Sequence, residues 1–187
     1  MASHSPVAAP ARRLRPGQAA PIAHLLVHQL GQLAAVVDGL SDCDYRAERA
    51  REVSGSIGGH VRHCLDHVRA LVSGIEAGRI AYDARVRGTA VESRRDAAVA
   101  EARRLADALA AIGEDDVDRT VTVEIRVDPQ LEAHVLVRST VGRELAFVAS
   151  HTIHHFAIVA LLLRDMGIGV PPRFGYAPST PSPELAA

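Results

Sequence analysis

Histidine is the residue type whose number and spacing suggest chemistry in this sequence. The chain of 187 residues contains ten histidines but no tryptophan, three tyrosines and three phenylalanines. Six histidines form pairs spaced four residues apart: His24 with His28, His63 with His67, and His151 with His155. On an α-helix this spacing places two imidazoles on one face, close enough to bind one metal ion. Spacing is weak evidence by itself, because ten histidines in a helical chain produce such pairs by chance.

His151 and His155 differ from the other pairs in the helix that surrounds them. Residues 141–166 are a predicted helix whose side chains from 145 to 163 are apolar on nearly every face. Two imidazoles buried there without partners would cost on the order of a few kcal/mol, which a metal ion or a dedicated hydrogen-bond network would offset. Surface or supporting positions are expected for three other histidines: His24, His28 and His154. We therefore expect His151 and His155 to be the metal-binding pair.

A metal site needs a third ligand, and the second predicted helix offers three candidates. This helix follows the capping residue Ser56 and contains His60, His63 and His67. On a helical wheel, His60 and His67 flank the apolar stripe, whereas His63 lies far from its centre. The helical period therefore leaves the choice among the three open.

Four predicted helices position these histidines. They cover residues 18–40, the segment between the cap Ser56 and the stop Gly78, residues 91–112 and residues 141–166. Apolar residues or strong helix formers recur through each segment, and Gly113 is expected to end the third helix. Residues 41–55 are expected to form a loop with a short helical turn. Together these elements predict an all-α four-helix bundle.

The connections between the helices predict the topology. Residues 79–91 have no helical period and are longer than the few residues that antiparallel neighbours need, so we expect a crossover that makes the second and third helices parallel. Alternation in residues 121–127, and again in residues 133–137, predicts a small β-hairpin inserted before the last helix. In a parallel arrangement Arg85 and Arg87 would lie near the metal, where they would favour carboxylate-bearing substrates. In a simple up-and-down bundle they would instead lie about 25 Å away, and the alternative role of both arginines is to keep the loop soluble.

Two segments resemble motifs of the DinB-like superfamily, which includes bacillithiol- and mycothiol-dependent transferases. One has His63 seven residues after the capping Ser56, and the other is the H-x-x-x-H pair formed by His151 and His155. The resemblance implies a crossover bundle, often dimeric, with three histidines on nickel, zinc or a similar ion. It selects His63 as the third ligand and leaves His60 and His67 as alternates. The implied metal set is therefore His63, His151 and His155, on a divalent transition metal such as Zn, Ni or Fe.

This ligand set predicts a class of chemistry. Three neutral imidazoles on a divalent ion leave a position for water or substrate, and the ion lowers the pKa of a bound water or thiol towards neutrality. We therefore expect a metal-dependent thiol transferase or hydrolase acting on a small electrophilic substrate. The resemblance implies a low-molecular-weight thiol as a partner, and no separate thiol-binding motif or catalytic residue is identified. The alternative is a non-enzymatic metal-binding or stress-associated bundle.

Two residues beside His63 have competing interpretations. Asp66 is expected to orient a ligand imidazole, to pair with a nearby arginine, or to be exposed on a polar helix face. Cys64 falls on the apolar stripe and is interpreted as a buried small residue rather than a ligand or nucleophile.

Composition restricts the partners and the cellular location. The formal net charge is −1, which gives no electrostatic reason to expect nucleic acid or an anionic membrane. Cys43 and Cys64 are too few for a disulfide framework and suit the reducing cytoplasm. The apolar run 156–163 is shorter than the roughly 20 residues of a spanning helix. We expect a cytoplasmic protein with a disordered segment at residues 1–16, the bundle at 17–169 and an extended proline-rich tail at 170–187. The resemblance to the DinB-like superfamily implies that it is a homodimer.

Overall fold

Four long helices and a small sheet make up most of the described chain. The computed structural model describes residues 20–48, 54–84, 86–128, 130 and 133–181. The helices are α1 (Ala20–Asp38), α2 (Asp42–Arg46), α3 (Ile57–Ala77), α4 (Ala90–Ser93), α5 (Arg95–Ala110) and α6 (Val141–Asp165), with a 3-10 turn at Glu114–Asp116. The strands are β1 (Arg79–Ala81), β2 (Thr120–Asp128) and β3 (Ala133–Thr140). The predicted disordered segment 1–16 lies outside the described residues.

The four long helices α1, α3, α5 and α6 enclose an aliphatic core. Helix α1 packs against α5 and α6, and α3 packs against the same two helices. Each long helix contributes fully buried leucines, among them Leu30, Leu65, Leu105 and Leu145. Burying one such side chain stabilises the fold by about 1.5–3 kcal/mol. The predicted helical bundle is therefore confirmed at the level of its main helices.

Two ion pairs that join α3 to α4 and α5 bear on the relative direction of these helices. Arg62, in the first part of α3, pairs with Glu92 of α4 at 3.0 Å. Arg69, further along α3, pairs with Glu101 of α5 at 2.9 Å. The two contacts occur in the same order along both segments. This order is the one expected when the segments run in the same direction.

The predicted third helix is interrupted, which corrects its boundaries. Arg94 has extended backbone angles (φ −127°, ψ 119°) and separates α4 from α5, and α5 ends at Ala110 rather than at Gly113. Contacts on each side of Arg94 hold the two parts in place. The Tyr45 hydroxyl donates to the Val91 carbonyl at 2.7 Å, and the Arg95 guanidinium donates to the Asp42 carboxylate at 2.7 Å. Helical periodicity does not reveal such tertiary contacts.

The predicted hairpin is present, and β1 extends it to a three-stranded sheet of order β1-β2-β3. Strands β2 and β3 are antiparallel, and β1 pairs parallel to β2 with Ile80 opposite Val123. Ile80 is fully buried, and Val121 and Val123 are almost fully buried, so the sheet also contributes to the core. Strand β1 was not predicted, because three residues are too few to show an alternating pattern.

The described part of the tail is folded into turns, unlike the extended tail that the sequence predicted. The Phe174 amide donates to the Pro171 carbonyl at 3.2 Å, and the Tyr176 amide donates to the Arg173 carbonyl at 3.1 Å. Phe174 is buried and its ring stacks on Phe156 of α6, with 4.5 Å between centroids. Burial of this aromatic ring gives the chain a reason to turn back onto the bundle.

Helix α6 has an unusually apolar composition. Among the described residues it is the one helix long and apolar enough to cross a membrane, with a mean hydropathy of 1.7 over its most apolar window. A core helix passes the same test of length and composition. In this fold α6 packs against α1 and α3, and 44% of that window is buried.

Candidate metal centre

Three histidines from two helices converge at the contact between α3 and α6. One ring nitrogen each from His63, His151 and His155 lies within 4.8 Å of the others. The Nε2 atoms of His63 and His151 are 3.0 Å apart. Nitrogens bound tetrahedrally to one ion at about 2.0–2.1 Å would lie roughly 3.3 Å apart. The structure thus brings together the three residues that the sequence analysis named, and the group could hold a metal ion.

Helix caps fix the helices that carry these side chains. The Ser56 hydroxyl accepts a hydrogen bond from the Gly59 amide at 3.1 Å, which confirms the predicted cap of α3. The Thr140 hydroxyl accepts from the Arg143 amide at 3.3 Å and caps α6. His63 follows its cap by about two helical turns, and His151 and His155 lie about one turn apart. The site therefore depends on how α3 and α6 pack, rather than on a loop.

The two alternates, His60 and His67, contact the three converging histidines. The His67 ring stacks on His151 with 4.1 Å between centroids, and its Nδ1 donates to the His63 carbonyl at 3.0 Å. The His60 Nδ1 lies 3.2 Å from the His155 Nδ1. Both alternates therefore belong to one cluster of five imidazoles. Four further histidines among the described residues are exposed: His24, His28, His134 and His154.

The surroundings of the cluster favour neutral imidazoles. Burial, together with the neighbouring His151 and His60, lowers the pKa of His155 to about 3. Burial also lowers the pKa of His60. Metal ions bind the neutral form of imidazole, so protons compete weakly for His155 at pH 7. The donor set thus fits a divalent transition ion.

Aromatic rings cover one side of the cluster. Tyr82 stacks on His67 with 5.3 Å between centroids and an interplanar angle of 13°. The centroid of the Phe147 ring lies 5.9 Å from that of His151 and 5.3 Å from that of Tyr82. These rings keep solvent from that side of the histidines.

A buried carboxylate that was not among the predicted site residues holds Tyr82 in place. Glu144 has no exposed surface, and its Oε2 accepts a hydrogen bond of 2.8 Å from the Tyr82 hydroxyl. Its Oε1 accepts from the Ser139 hydroxyl at 2.6 Å and from the Arg143 guanidinium at 2.8 Å. Burial and the nearby Glu144 carboxylate raise the pKa of Tyr82, which stays protonated. The sequence feature that could have pointed to Glu144 is the presence of a glutamate in a mostly apolar helix.

The other residues singled out near His63 have structural partners. Asp66 accepts hydrogen bonds from Arg62 at 2.9 Å and from Arg69 at 2.6 Å, so pairing with arginine is the interpretation that the structure supports. Cys64 is almost fully buried and burial raises the pKa of its thiol, in agreement with a small core residue. Arg85 lies outside the described residues, and Arg87 is exposed.

Comparison with known proteins identifies relatives of this architecture. The sequence profile of the DinB superfamily matches residues 10–159. The structure is similar to YfiT from Bacillus subtilis, described as a probable metal-dependent hydrolase with an unusual four-helix bundle topology. Their TM-score is 0.60 at 15% identity, over 86% of this chain and 94% of YfiT. It is also similar to the DinB-like protein YjoA from Bacillus subtilis, with a TM-score of 0.58 at 17% identity, over 81% of this chain and 96% of YjoA. At these identities the likeness shows a shared fold.

A curated sequence is also similar over part of its length. FK506-binding protein 5 of Rhizopus delemar is 29% identical over 99 residues, which are 53% of this chain and 26% of that protein. This chain therefore matches about a quarter of that relative's length. Most of that protein has no counterpart in the alignment.

Proposed function

Because this chain belongs to the DinB superfamily, we propose that it is a metal-dependent enzyme in which His63, His151 and His155 bind one divalent transition ion. The observation that carries the proposal is the convergence of the three ring nitrogens within 4.8 Å. Imidazole ligands suit Zn, Ni and Fe, and we propose one of these as the ion.

The proposed reaction is the attack of an activated nucleophile on a small electrophilic substrate. An ion held by three imidazoles lowers the pKa of a water or thiol placed in its remaining position. His155 supplies a neutral donor because burial depresses its pKa. Tyr82 and Phe147 shield one side of the histidines from solvent. Hydrolysis and transfer of a low-molecular-weight thiol are the two forms of this proposal, and the description of YfiT supports the first.

We further propose that residues 79–91 form the predicted crossover between two parallel helices. The ion pairs Arg62–Glu92 and Arg69–Glu101 support it, because they occur in the same order along both segments. In this topology the connection returns to the end of α3 that bears His63. We propose that Arg87 and Arg85 then favour a carboxylate-bearing substrate.

A second candidate function is favoured by the position of His67. The centroids of the His67 and His151 rings are 4.1 Å apart, so a fourth imidazole is adjacent to the three proposed ligands. Four protein ligands close a tetrahedral site, and a closed site is structural rather than catalytic. The alternative is therefore a non-enzymatic metal-binding bundle, in which the ion stabilises the contact between α3 and α6.

Metal analysis combined with a thiol titration tests both candidates. We expect purified protein to contain about one ion per chain, and His63→Ala to contain almost none. His24→Ala, which removes an exposed histidine from α1, is the matched control and should keep the ion. An open position predicts that a small thiol raises the melting temperature of the metal-loaded protein and not of His63→Ala. A metal-loaded protein that responds to neither thiols nor hydrolysable esters would favour the structural alternative.

We also propose a cytoplasmic homodimer that uses neither nucleic acid nor a membrane. The nearly balanced charge of the chain supports the absence of nucleic-acid and membrane partners, and its two cysteines support the cytoplasm. The homodimer is proposed from the resemblance to the DinB-like superfamily. Size-exclusion chromatography with light scattering tests the oligomeric state, where a monomer would contradict it.

A further inference from the structure

Two consecutive hydrogen bonds connect the backbone before α3 with His155, one of the proposed metal ligands. The Nε2 atom of His60 lies 3.3 Å from the Ser54 carbonyl oxygen. On the other side of the same ring, the His60 Nδ1 lies 3.2 Å from the Nδ1 of His155. His60 thus lies between a backbone acceptor and one of the three proposed ligands.

Elementary hydrogen-bond chemistry assigns the protons along this line. A carbonyl oxygen only accepts, so the His60 Nε2 must carry the hydrogen. A neutral imidazole has one donor and one acceptor nitrogen, so the His60 Nδ1 is the acceptor. The His155 Nδ1 must then donate. In this tautomer His155 has its lone pair on Nε2, which is the nitrogen left to bind a metal ion.

We propose that His60 is a positioning residue that holds His155 in the tautomer whose Nε2 binds the metal. The proposal rests on the proposed function, because it assumes His155 to be a ligand. A metal-binding histidine usually donates its second N–H to a neighbouring group, which fixes the orientation of its ring. Here that neighbour is a second imidazole, itself held by the Ser54 carbonyl.

The local backbone is arranged to hold the Ser54 carbonyl near His60. Gly55 has a φ of +102°, a conformation that side chains disfavour, and it links Ser54 to the cap Ser56. A Cβ atom at Gly55 would lie 3.6 Å from the His60 Nε2, so the turn packs directly against the ring. The His60 amide also donates to the Ser56 carbonyl at 3.2 Å, which fixes His60 in the first turn of α3.

Two substitutions at His60 and one control separate positioning from other effects. His60→Ala removes the acceptor, whereas His60→Asn places an amide oxygen close to the position of Nδ1. His154→Ala is the control, because it removes a different imidazole whose centroid is 5.0 Å from that of His155. We expect His60→Ala to bind Zn²⁺ about 10–100-fold more weakly at an unchanged stoichiometry, measured by competition with a chromophoric chelator. His60→Asn should recover most of the affinity, and His154→Ala should match the wild type.

A second readout needs no metal. Two-bond ¹H–¹⁵N correlation NMR of the metal-free protein reports which ring nitrogen carries hydrogen. We expect His155 in the wild type to be protonated on Nδ1, and His60→Ala to shift it towards the other tautomer. A wild-type His155 protonated on Nε2 would overturn the inference whatever the metal affinity.

The outcomes distinguish this inference from the proposed function. Equal Zn²⁺ affinity in wild type and His60→Ala would overturn the positioning role and leave the metal site in place. Loss of all binding in His60→Ala, as in His63→Ala, would make His60 a ligand and also overturn it. A wild type that binds no Zn²⁺ would overturn the proposed function, and the inference with it.

Discussion

The Nε2 atoms of His63 and His151 lie 3.0 Å apart across the contact between α3 and α6. Two nitrogen lone pairs repel at this distance unless a proton or a metal ion lies between them. His155 adds a third nitrogen to the same place, and its depressed pKa disfavours protonation there. A single N–H of a neutral imidazole bridges two of these nitrogens, whereas a divalent ion can bind all three, which is the physical basis of the proposed metal site.

Removal of the metal is expected to destabilise the protein. An ion present at about 100 times its dissociation constant adds about 2.7 kcal/mol to the free energy of unfolding. For a chain of this size, that difference lowers the melting temperature by roughly 5–10 °C when a chelator is added. Differential scanning calorimetry with and without chelator measures the shift, and His63→Ala should show none. An equal shift in both proteins would mean that the chelator acts elsewhere.

Acid is expected to destabilise the metal-free protein through His155. Its folded pKa of about 3 lies below the ordinary value of 6.5, so the unfolded chain binds more protons between these values. Stability from this group is complete above pH 6.5 and is lost as the pH falls towards 3. Urea unfolding of the metal-free protein at pH 7.5, 6 and 5 should show a steeper decline in the wild type than in His155→Gln. Identical pH dependence in the two proteins would contradict the depressed pKa.

Part of the site could be predicted from the sequence, because polar side chains occur there at positions that the apolar pattern of the helix marks as buried. His151 and His155 stand in an apolar helix, so their need for a partner was visible without coordinates. His63 was different, because a helical wheel describes the average direction of the core and not the local contact with α6. A resemblance between motifs, and not the helical period, selected it. The positioning role proposed for His60 depends on its hydrogen bond to the Ser54 carbonyl. The orientation of that carbonyl cannot be read from the sequence.

The parts of the fold that sequence reasoning missed depend on tertiary contacts. The Tyr82–Glu144 hydrogen bond joins residues 62 positions apart, beyond the reach of any local pattern. Strand β1 is defined by its pairing with β2, and the break at Arg94 accompanies docking of α4 on Tyr45. By contrast, Ser56 was predictable as a cap because its effect is local.

The substitution Gly58→Ala tests the close approach of α3 and α4. A Cβ atom at Gly58 would lie 2.1 Å from the Glu92 carbonyl oxygen and 2.9 Å from the Tyr45 ring. Because backbone must move to admit it, we expect a loss of about 1–3 kcal/mol in the free energy of unfolding. Gly31→Ala on α1 is the control, since its Cβ meets nothing within 4 Å and should stabilise the helix by up to about 1 kcal/mol. Similar effects at both positions would argue against this packing.

The substitution Tyr82→Phe separates the stability of the buried network from metal binding. It removes the hydroxyl that donates to Glu144 but keeps the ring that stacks on His67. Glu144 has no exposed surface, so water cannot replace the lost donor without rearrangement, and we expect a loss of about 1.5–3 kcal/mol in urea unfolding. Tyr176→Phe, which changes a half-exposed tyrosine in the tail, is the matched control and should stay within about 0.5 kcal/mol of wild type. Zn²⁺ affinity should hardly change, because the ring against the histidine cluster remains. A large loss of affinity with little loss of stability would instead place the Tyr82 hydroxyl in the metal site itself.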